Sequence, residues 1–201
     1  MIQSIEELTR HYAPPRETVI LKQVDRLDEH CRAFIDASPL VMLATSSPSH
    51  GVDCSPRGDQ PGFVEVADDK TLLLPDRRGN NRIDSLRNIV ENPAVGLLFL
   101  VPGVTNTFRV NGRARISVDP VLLARFAVNG KPPKSVLVIT VDEAFIQCAR
   151  ALIRSELWNP ARHIDRASLP SAGTVLAAHT GKVDAAAYDE EARTRIPETL
   201  Y

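Results

Sequence analysis

Three arginines, Arg77, Arg78 and Arg82, fall within six residues of one another in the segment Leu73-Leu-Pro-Asp-Arg-Arg-Gly-Asn-Asn-Arg-Ile-Asp-Ser-Leu-Arg-Asn-Ile89. A guanidinium fork presents paired N–H donors that match phosphate oxygens better than an ammonium group does. The segment reads as a strand end, a glycine turn and a helix start. Asn81 is placed to cap that helix, with Asp84 three residues on as its box partner. The free N–H groups of the first turn would then face the same anion as the arginines. Gly79 is expected to take a positive φ and let a ligand approach the backbone. The chemistry this spacing suits is recognition of a phosphate monoester. The competing reading is a solvated basic loop beside a well-capped helix, and a chain with 19 Arg and 5 Lys makes an argument from residue type weaker.

Two other clusters bear on that choice. Ser55-Pro-Arg-Gly-Asp59 ends one strand in a Pro and Gly turn that aims Arg57 and Asp59 together before Gly62-Phe-Val64 begins the next; alone, such residues form a local ion pair. In Thr105-Asn-Thr-Phe-Arg-Val-Asn-Gly-Arg-Ala114, the two-residue period puts Thr107, Arg109, Asn111 and Arg113 on one face and Phe108, Val110 and Gly112 on the other. That polar face is either the lining of a cavity or the solvated side of an edge strand.

The elements that must hold these groups follow from hydrophobic spacing. Ile5 to Tyr12 and Glu17 to Ala37 carry apolar residues at helical intervals, Val24, Leu27, Cys31, Phe34 and Ile35 forming the clearest stripe. From Leu40 the pattern changes to short alternating runs broken by Gly, Pro, Asn and Asp, as in an antiparallel meander. Strands are predicted at Leu40 to Ser46, Val52 to Ser55, Gly62 to Ala67, Thr71 to Pro75, Ala94 to Val101, Thr107 to Ser117 and Ser135 to Val141. Helices are predicted at Arg82 to Glu91 and at Val121 to Phe126 after an Asp-Pro start. Phe145 to Leu157 mixes strand and helix signals. Beyond Trp158 the text is polar and rich in small residues until Val183 to Arg195, which reads as an amphipathic helix. The organisation expected is a helical extension over 1–38, one barrel domain over 39–158, and a tail with a helix over 159–201 packed on the same domain.

Bulk properties exclude several classes. The 201 residues, 43% hydrophobic, suffice for a sizeable core. A formal charge of −1 supplies no global field for a nucleic acid or an anionic membrane. No apolar run approaches roughly 18 residues, and the first residues lack a basic segment followed by an apolar one; a cytoplasmic protein is expected. Cys31, Cys54 and Cys148 are odd in number and widely spaced, indicating reduced structural thiols and neither a disulfide framework nor a zinc site.

Taken in order, Leu43-Ala-Thr-Ser46, Ser55-Pro-Arg-Gly-Asp59, Gly62-Phe-Val64, Leu74-Pro-Asp-Arg-Arg-Gly-Asn-Asn-Arg82, Asn92-Pro-Ala-Val-Gly-Leu-Leu-Phe99 and Arg109-Val-Asn-Gly-Arg-Ala114 resemble the pyridoxamine 5'-phosphate oxidase-like family, in a branch characterised only by FMN binding. The similarity covers roughly Pro39 to Trp158. It implies an α+β fold, mainly β with helices: an antiparallel, Greek-key-like FMN-binding split β-barrel with a helical N-terminal extension. It further implies FMN held at a homodimer interface, with the phosphate at Arg78, Gly79, Asn80, Asn81 and Arg82 and Ser85 nearby. Arg57, Asp59, Phe63 and Val64 are expected near the flavin ring. Thr107 and Arg109 are expected contributors, and Arg154 and Trp158 would close the pocket from the partner chain, Trp158 being equally suited to ordinary core packing. Arg162-His-Ile-Asp-Arg166 matches only loosely the basic residues with which true pyridoxamine phosphate oxidases hold their substrate, so that substrate does not carry over.

The function this implies is an oxidoreductase moving hydride or electrons between a reduced nicotinamide donor and a small organic acceptor, the flavin performing the redox chemistry. A non-catalytic flavin-binding or sensing module is the alternative. Haem binding would need His11, His30, His50, His163 or His179 as axial ligand, and none lies in the matching motifs.

Overall fold

Buried and open residues alternate along Leu40–Ser47, β1, as a strand with one face in the core requires. The computed structural model describes residues 1–201. Six further strands follow: β2 (Gly51–Gly58), β3 (Glu65–Val66), β4 (Thr71–Asp76), β5 (Ala94–Leu100), β6 (Phe108–Ser117) and β7 (Ser135–Ile146). All pairings are antiparallel, in the order β2-β1-β5-β6-β7-β4-β3. The α+β class and antiparallel split-barrel architecture expected from the sequence are those of the structure.

The sheet does not close by backbone pairing, yet its ends meet. Arg57 on the edge strand β2 reaches Asp76 on β4 at 2.5 Å, although four strands separate β2 from β4 in the sheet order. Twist and coiling bring the two ends together, and side chains join the seam. Inside lies one cluster of 20 buried residues, including Val41, Leu43, Leu72, Leu97, Phe99 and Ile139. At roughly 25 cal/mol per Å² of apolar surface removed from water, this core is the main stabilising contribution. Midway along β6 the register shifts between Asn111 and Gly112, and a Cβ at Gly112 would lie 2.2 Å from the Thr140 carbonyl oxygen. Only glycine fits that bulge.

Helices cover what the strands leave open. Of the expected helix over Glu17 to Ala37, the structure keeps α2 (Glu17–Leu21) and α3 (Glu29–Ala37), following a short α1 (Ile5–Thr9). The interruption has a cause: Val24 exchanges two backbone hydrogen bonds with Ala144, 3.0 and 2.7 Å long, adding an extended residue to β7. Asp28 then starts α3 by accepting from the Cys31 N–H at 2.8 Å. Cys31 and Ile35 face the core, and burial pushes the Cys31 thiol up to about 11.

Helix α4 (Asp84–Glu91) is fixed by Asn88, which is fully buried. Its amide donates to Thr45 Oγ1 at 3.1 Å and to the Gly51 carbonyl at 3.2 Å, and accepts from Ser47 Oγ at 2.9 Å. Helix α5 (Pro120–Arg125) is capped by Asp119, as its Asp-Pro start predicts. The mixed segment resolves into the end of β7 and α6 (Arg150–Ser155). The predicted Gly62 to Ala67 strand shrinks to β3, because Phe63 and Val64 are both buried and the alternation fails there. Beyond Trp158, α7 (Ala172–Thr180) was unexpected; it packs on α8 (Ala185–Glu198). No helix is long and apolar enough to cross a membrane.

Candidate functional site

On β2 the residues facing inward are polar where other strands present Val, Leu or Ile. Asp53, Ser55 and Arg57 alternate with exposed Val52, Cys54 and Pro56, so the barrel seam is lined by charge. Ser55 Oγ donates to Asp53, 2.9 Å from its nearer oxygen, and the Ser85 hydroxyl of α4 donates to the same carboxylate. Arg57 donates through one terminal nitrogen to Ser85 Oγ at 3.0 Å and through the other to Asp76. Its Nε–H is buried and has no partner. An unmatched donor of this kind costs about 1–3 kcal/mol unless a ligand accepts from it.

The loop entering α4 divides its arginines between two tasks. Arg77 serves the fold: Nε donates to Asp59 at 2.7 Å, a terminal nitrogen donates to the Phe126 carbonyl at 2.5 Å, and the Tyr201 ring lies 5.5 Å away. The Asp59 side chain is 3% exposed. Burial pushes its carboxyl up, but hydrogen bonds from the Tyr201 hydroxyl, the Gln60 N–H and Arg77 outweigh that and hold its pKa below the usual carboxylate value. Arg78 and Arg82 are exposed. Arg82 meets Asp84 at 2.5 Å, and the hydrogen bond and charge of that carboxylate raise the Arg82 pKa.

Two local expectations are corrected here. Asn81 does not cap α4: Ile83 precedes the helix with no side-chain cap, and Asn81 Oδ1 accepts from Lys134 Nζ at 2.7 Å. Asn81, at φ 61°, is the residue in the left-handed region, and Gly79 is not. Asparagine tolerates that region better than most side chains, so it takes the turn and turns its amide to a tertiary partner. Asn80 steadies the loop by accepting from the Arg82 N–H at 3.0 Å.

These groups enclose a cleft of about 190 Å³ on the seam. Arg57, Arg77, Arg82 and Lys134 line it against one carboxylate, Asp76, together with Gly79, Asn80 and Asn81. A second cleft of about 220 Å³ also takes in Arg57 and is lined by Pro56, Phe63, Pro75, Arg78 and Gly79. The structure thus brings together Arg57, Phe63, Arg78, Gly79, Asn80, Asn81 and Arg82, with Ser85 behind them.

The remaining expected residues lie apart. Val64 is in the core, and Asp59 is occupied by Arg77 and Tyr201. Thr107 is buried just ahead of β6, while Arg109 sits over the Phe145 ring at 5.6 Å. Arg154 ends α6 exposed, and Trp158 donates from its indole to the Val104 carbonyl at 2.8 Å. Arg162 pairs with Glu156, and Arg166 donates to the carbonyls of Leu169 and Pro170, so both are used locally. Sequence reasoning missed Asp53, Asp76 and Lys134. Asp53 could have been found from its two-residue spacing to Ser55 and Arg57; Lys134 carries no local signal.

The profile of the pyridoxamine 5'-phosphate oxidase family matches residues 27–148. No curated protein matches the sequence. Among solved structures, HupZ of Group A Streptococcus is 22% identical, with a TM-score of 0.47 over 59% of this chain and 92% of its own. A pyridoxamine 5'-phosphate oxidase homologue from Lactobacillus delbrueckii is 22% identical, TM-score 0.48, over 61% and 95%. An FAD binding protein from Mycobacterium smegmatis is 16% identical, TM-score 0.40, over 61% and 95%.

Proposed function

The chain belongs to the pyridoxamine 5'-phosphate oxidase family, and from that premise we propose that it is a homodimeric flavoprotein that holds FMN on the barrel seam and exchanges hydride or electrons between a reduced donor such as NAD(P)H and a small organic acceptor. The observation that carries the reading is the convergence, in one cleft, of Arg57, Arg82, Lys134 and the Asn80–Asn81 turn.

The residues fit the group. Arg82, with Lys134 and Arg78, would hold the phosphate through charge-assisted hydrogen bonds, and Asn80 and Asn81 shape the loop around it. Phe63, Pro56 and Pro75 would offer the flat apolar surface a ring system needs. Asp76 and Ser85 fix the Arg57 plane, holding the guanidinium in one orientation at the cleft wall. When bound, FMN would supply the redox chemistry. The one carboxylate lining the cleft is committed to Arg57; the second reading is a flavin-binding module without turnover.

Dimerisation is part of the proposal on two grounds. Neither cleft reaches the roughly 300 Å³ at the lower end of small-molecule sites, so a second subunit would be needed to enclose a flavin, with Arg154 and Trp158 as the groups it would bring. The outward side of β1 and β5 also presents Leu40 opposite Leu100 and Met42 opposite Leu98, half-exposed apolar pairs suited to an isologous contact. Gel filtration of protein mixed with FMN tests both: flavin absorbance should co-elute at dimer size, and Met42→Glu with Leu98→Glu should give a monomer without flavin. Colourless protein would refute the reading. Anaerobic bleaching by NADPH distinguishes the oxidoreductase from the module.

A further inference from the structure

The seam cleft has a neighbour. Sharing Arg77 and Lys134 with it is a cleft of about 200 Å³ that adds Arg78, Lys131, the Pro132–Pro133 pair and Tyr201. No Asp or Glu side chain lines it, and Arg78, Lys131 and Lys134 form no ion pair with one. Two of the chain's five lysines stand here three residues apart, in Lys131-Pro-Pro-Lys134.

The backbone holds those lysines in place. Lys131 exchanges hydrogen bonds with Val128, 2.9 and 3.0 Å long, and the Lys134 N–H donates to the Asp76 carbonyl at 3.3 Å. The two prolines between them fix φ and remove local freedom. Uncompensated cations held close together repel one another, an arrangement that an anion relieves. Lys131 already works as an oxygen binder: its Nζ donates to the main-chain oxygen of Tyr201 at 3.1 Å.

Resting on the reading of the seam cleft as a phosphate site, we infer that this adjoining cleft is a second phosphoryl subsite, and that the protein therefore takes a ligand with two linked phosphoryl groups, the pyrophosphate of a dinucleotide. Lys134, common to both clefts, would lie between the two groups. Lys131 would bind the outer one, exchanging the Tyr201 oxygen for it. A pyrophosphate can come from FAD in place of FMN, or from a nicotinamide dinucleotide donor beside bound FMN.

Lys131→Ala separates these cases, because Lys131 lines only the second cleft and its backbone hydrogen bonds survive the change. Wild-type and variant proteins are titrated with FMN and with FAD by fluorescence quenching, and FMN-loaded protein is bleached anaerobically with NADH. Loss of one charge-assisted contact corresponds to about tenfold in affinity. A tenfold loss for FAD with FMN within twofold supports the subsite with the flavin as its source. A tenfold rise in the NADH concentration for half-saturation, flavin binding unchanged, supports it with the donor as its source. Equal losses for FMN and FAD, or no selective loss in either arm, overturn the inference while leaving FMN binding intact; wild-type protein that binds no FMN overturns both.

Discussion

The seam and the outward face of β6 look alike in sequence, each a run of polar and basic residues at short spacing, and the structure treats them oppositely. On β6 the groups are satisfied by the next strand: Asn111 donates to Glu143, Arg113 meets Asp142 at 3.5 Å, and Arg109 covers Phe145. On the seam, Arg57, Arg82 and Lys134 come from β2, the α4 entry and the β7 entry, and donors are left over. Cross-strand neighbours close their own accounts of charge and hydrogen bonding, whereas convergence from distant segments leaves a surplus for a ligand.

Breaking the buried pair should show the largest effect. Asp59→Asn leaves the Arg77 charge without its partner and should cost about 3 kcal/mol in urea unfolding, against about 0.5 kcal/mol or less for Asp142→Asn on the exposed β6 pair. The Asp59 carboxyl is held below its ordinary value of 3.8. Its folded-state pKa being lowered, its stabilisation is full above that ordinary value and is lost as pH falls through the lowered one. The gap between wild type and Asp59→Asn should therefore narrow only in acid below pH 3.8; a gap that narrows near neutrality would contradict the assignment.

Ligand affinity should divide the two regions next. Arg82→Ala with Lys134→Ala should weaken FMN by about 100-fold, while Arg109→Ala with Arg113→Ala should stay within about twofold, both read by flavin fluorescence. Equal losses would make the β6 face part of the site. Asn88→Ala, which orphans Thr45 and Gly51 partners beneath the seam, should cost about 2 kcal/mol, against under about 1 kcal/mol for Asn111→Ala at a half-buried position.

The smallest effect belongs to Tyr201→Phe, about 1 kcal/mol from one hydrogen bond. The bond to Asp59 raises the Tyr201 pKa, as does burial. A raised value means that its contribution is complete below pH 10 and fades as pH climbs past the raised pKa, which a series of unfolding curves taken from below pH 10 upward would detect.

How much of this the sequence carried depended on distance along the chain. The alternation in β1, β5 and β6 identified strands because one face is uniformly buried. Helix α7 escaped notice because its small residues form no stripe; it exists through close approach to α8, where a Cβ on Gly173 would come within 2.3 Å of the Ala185 carbonyl oxygen. Arg78, Asn80, Asn81 and Arg82 were legible as one basic turn. The Asn81 cap was misread because its true partner, Lys134, lies 53 residues away. Asp76, set between Pro75 and Arg77, looked like part of the turn until the seam brought Arg57 to it.

The central claim is that the seam binds a phosphoryl group, and riboflavin, which lacks one, tests it most directly. Titrated against the wild-type protein, FMN should bind about 100-fold more tightly than riboflavin, and the difference should disappear when Arg82 and Lys134 are both alanine. Equal affinity of wild-type protein for the two flavins would contradict the account.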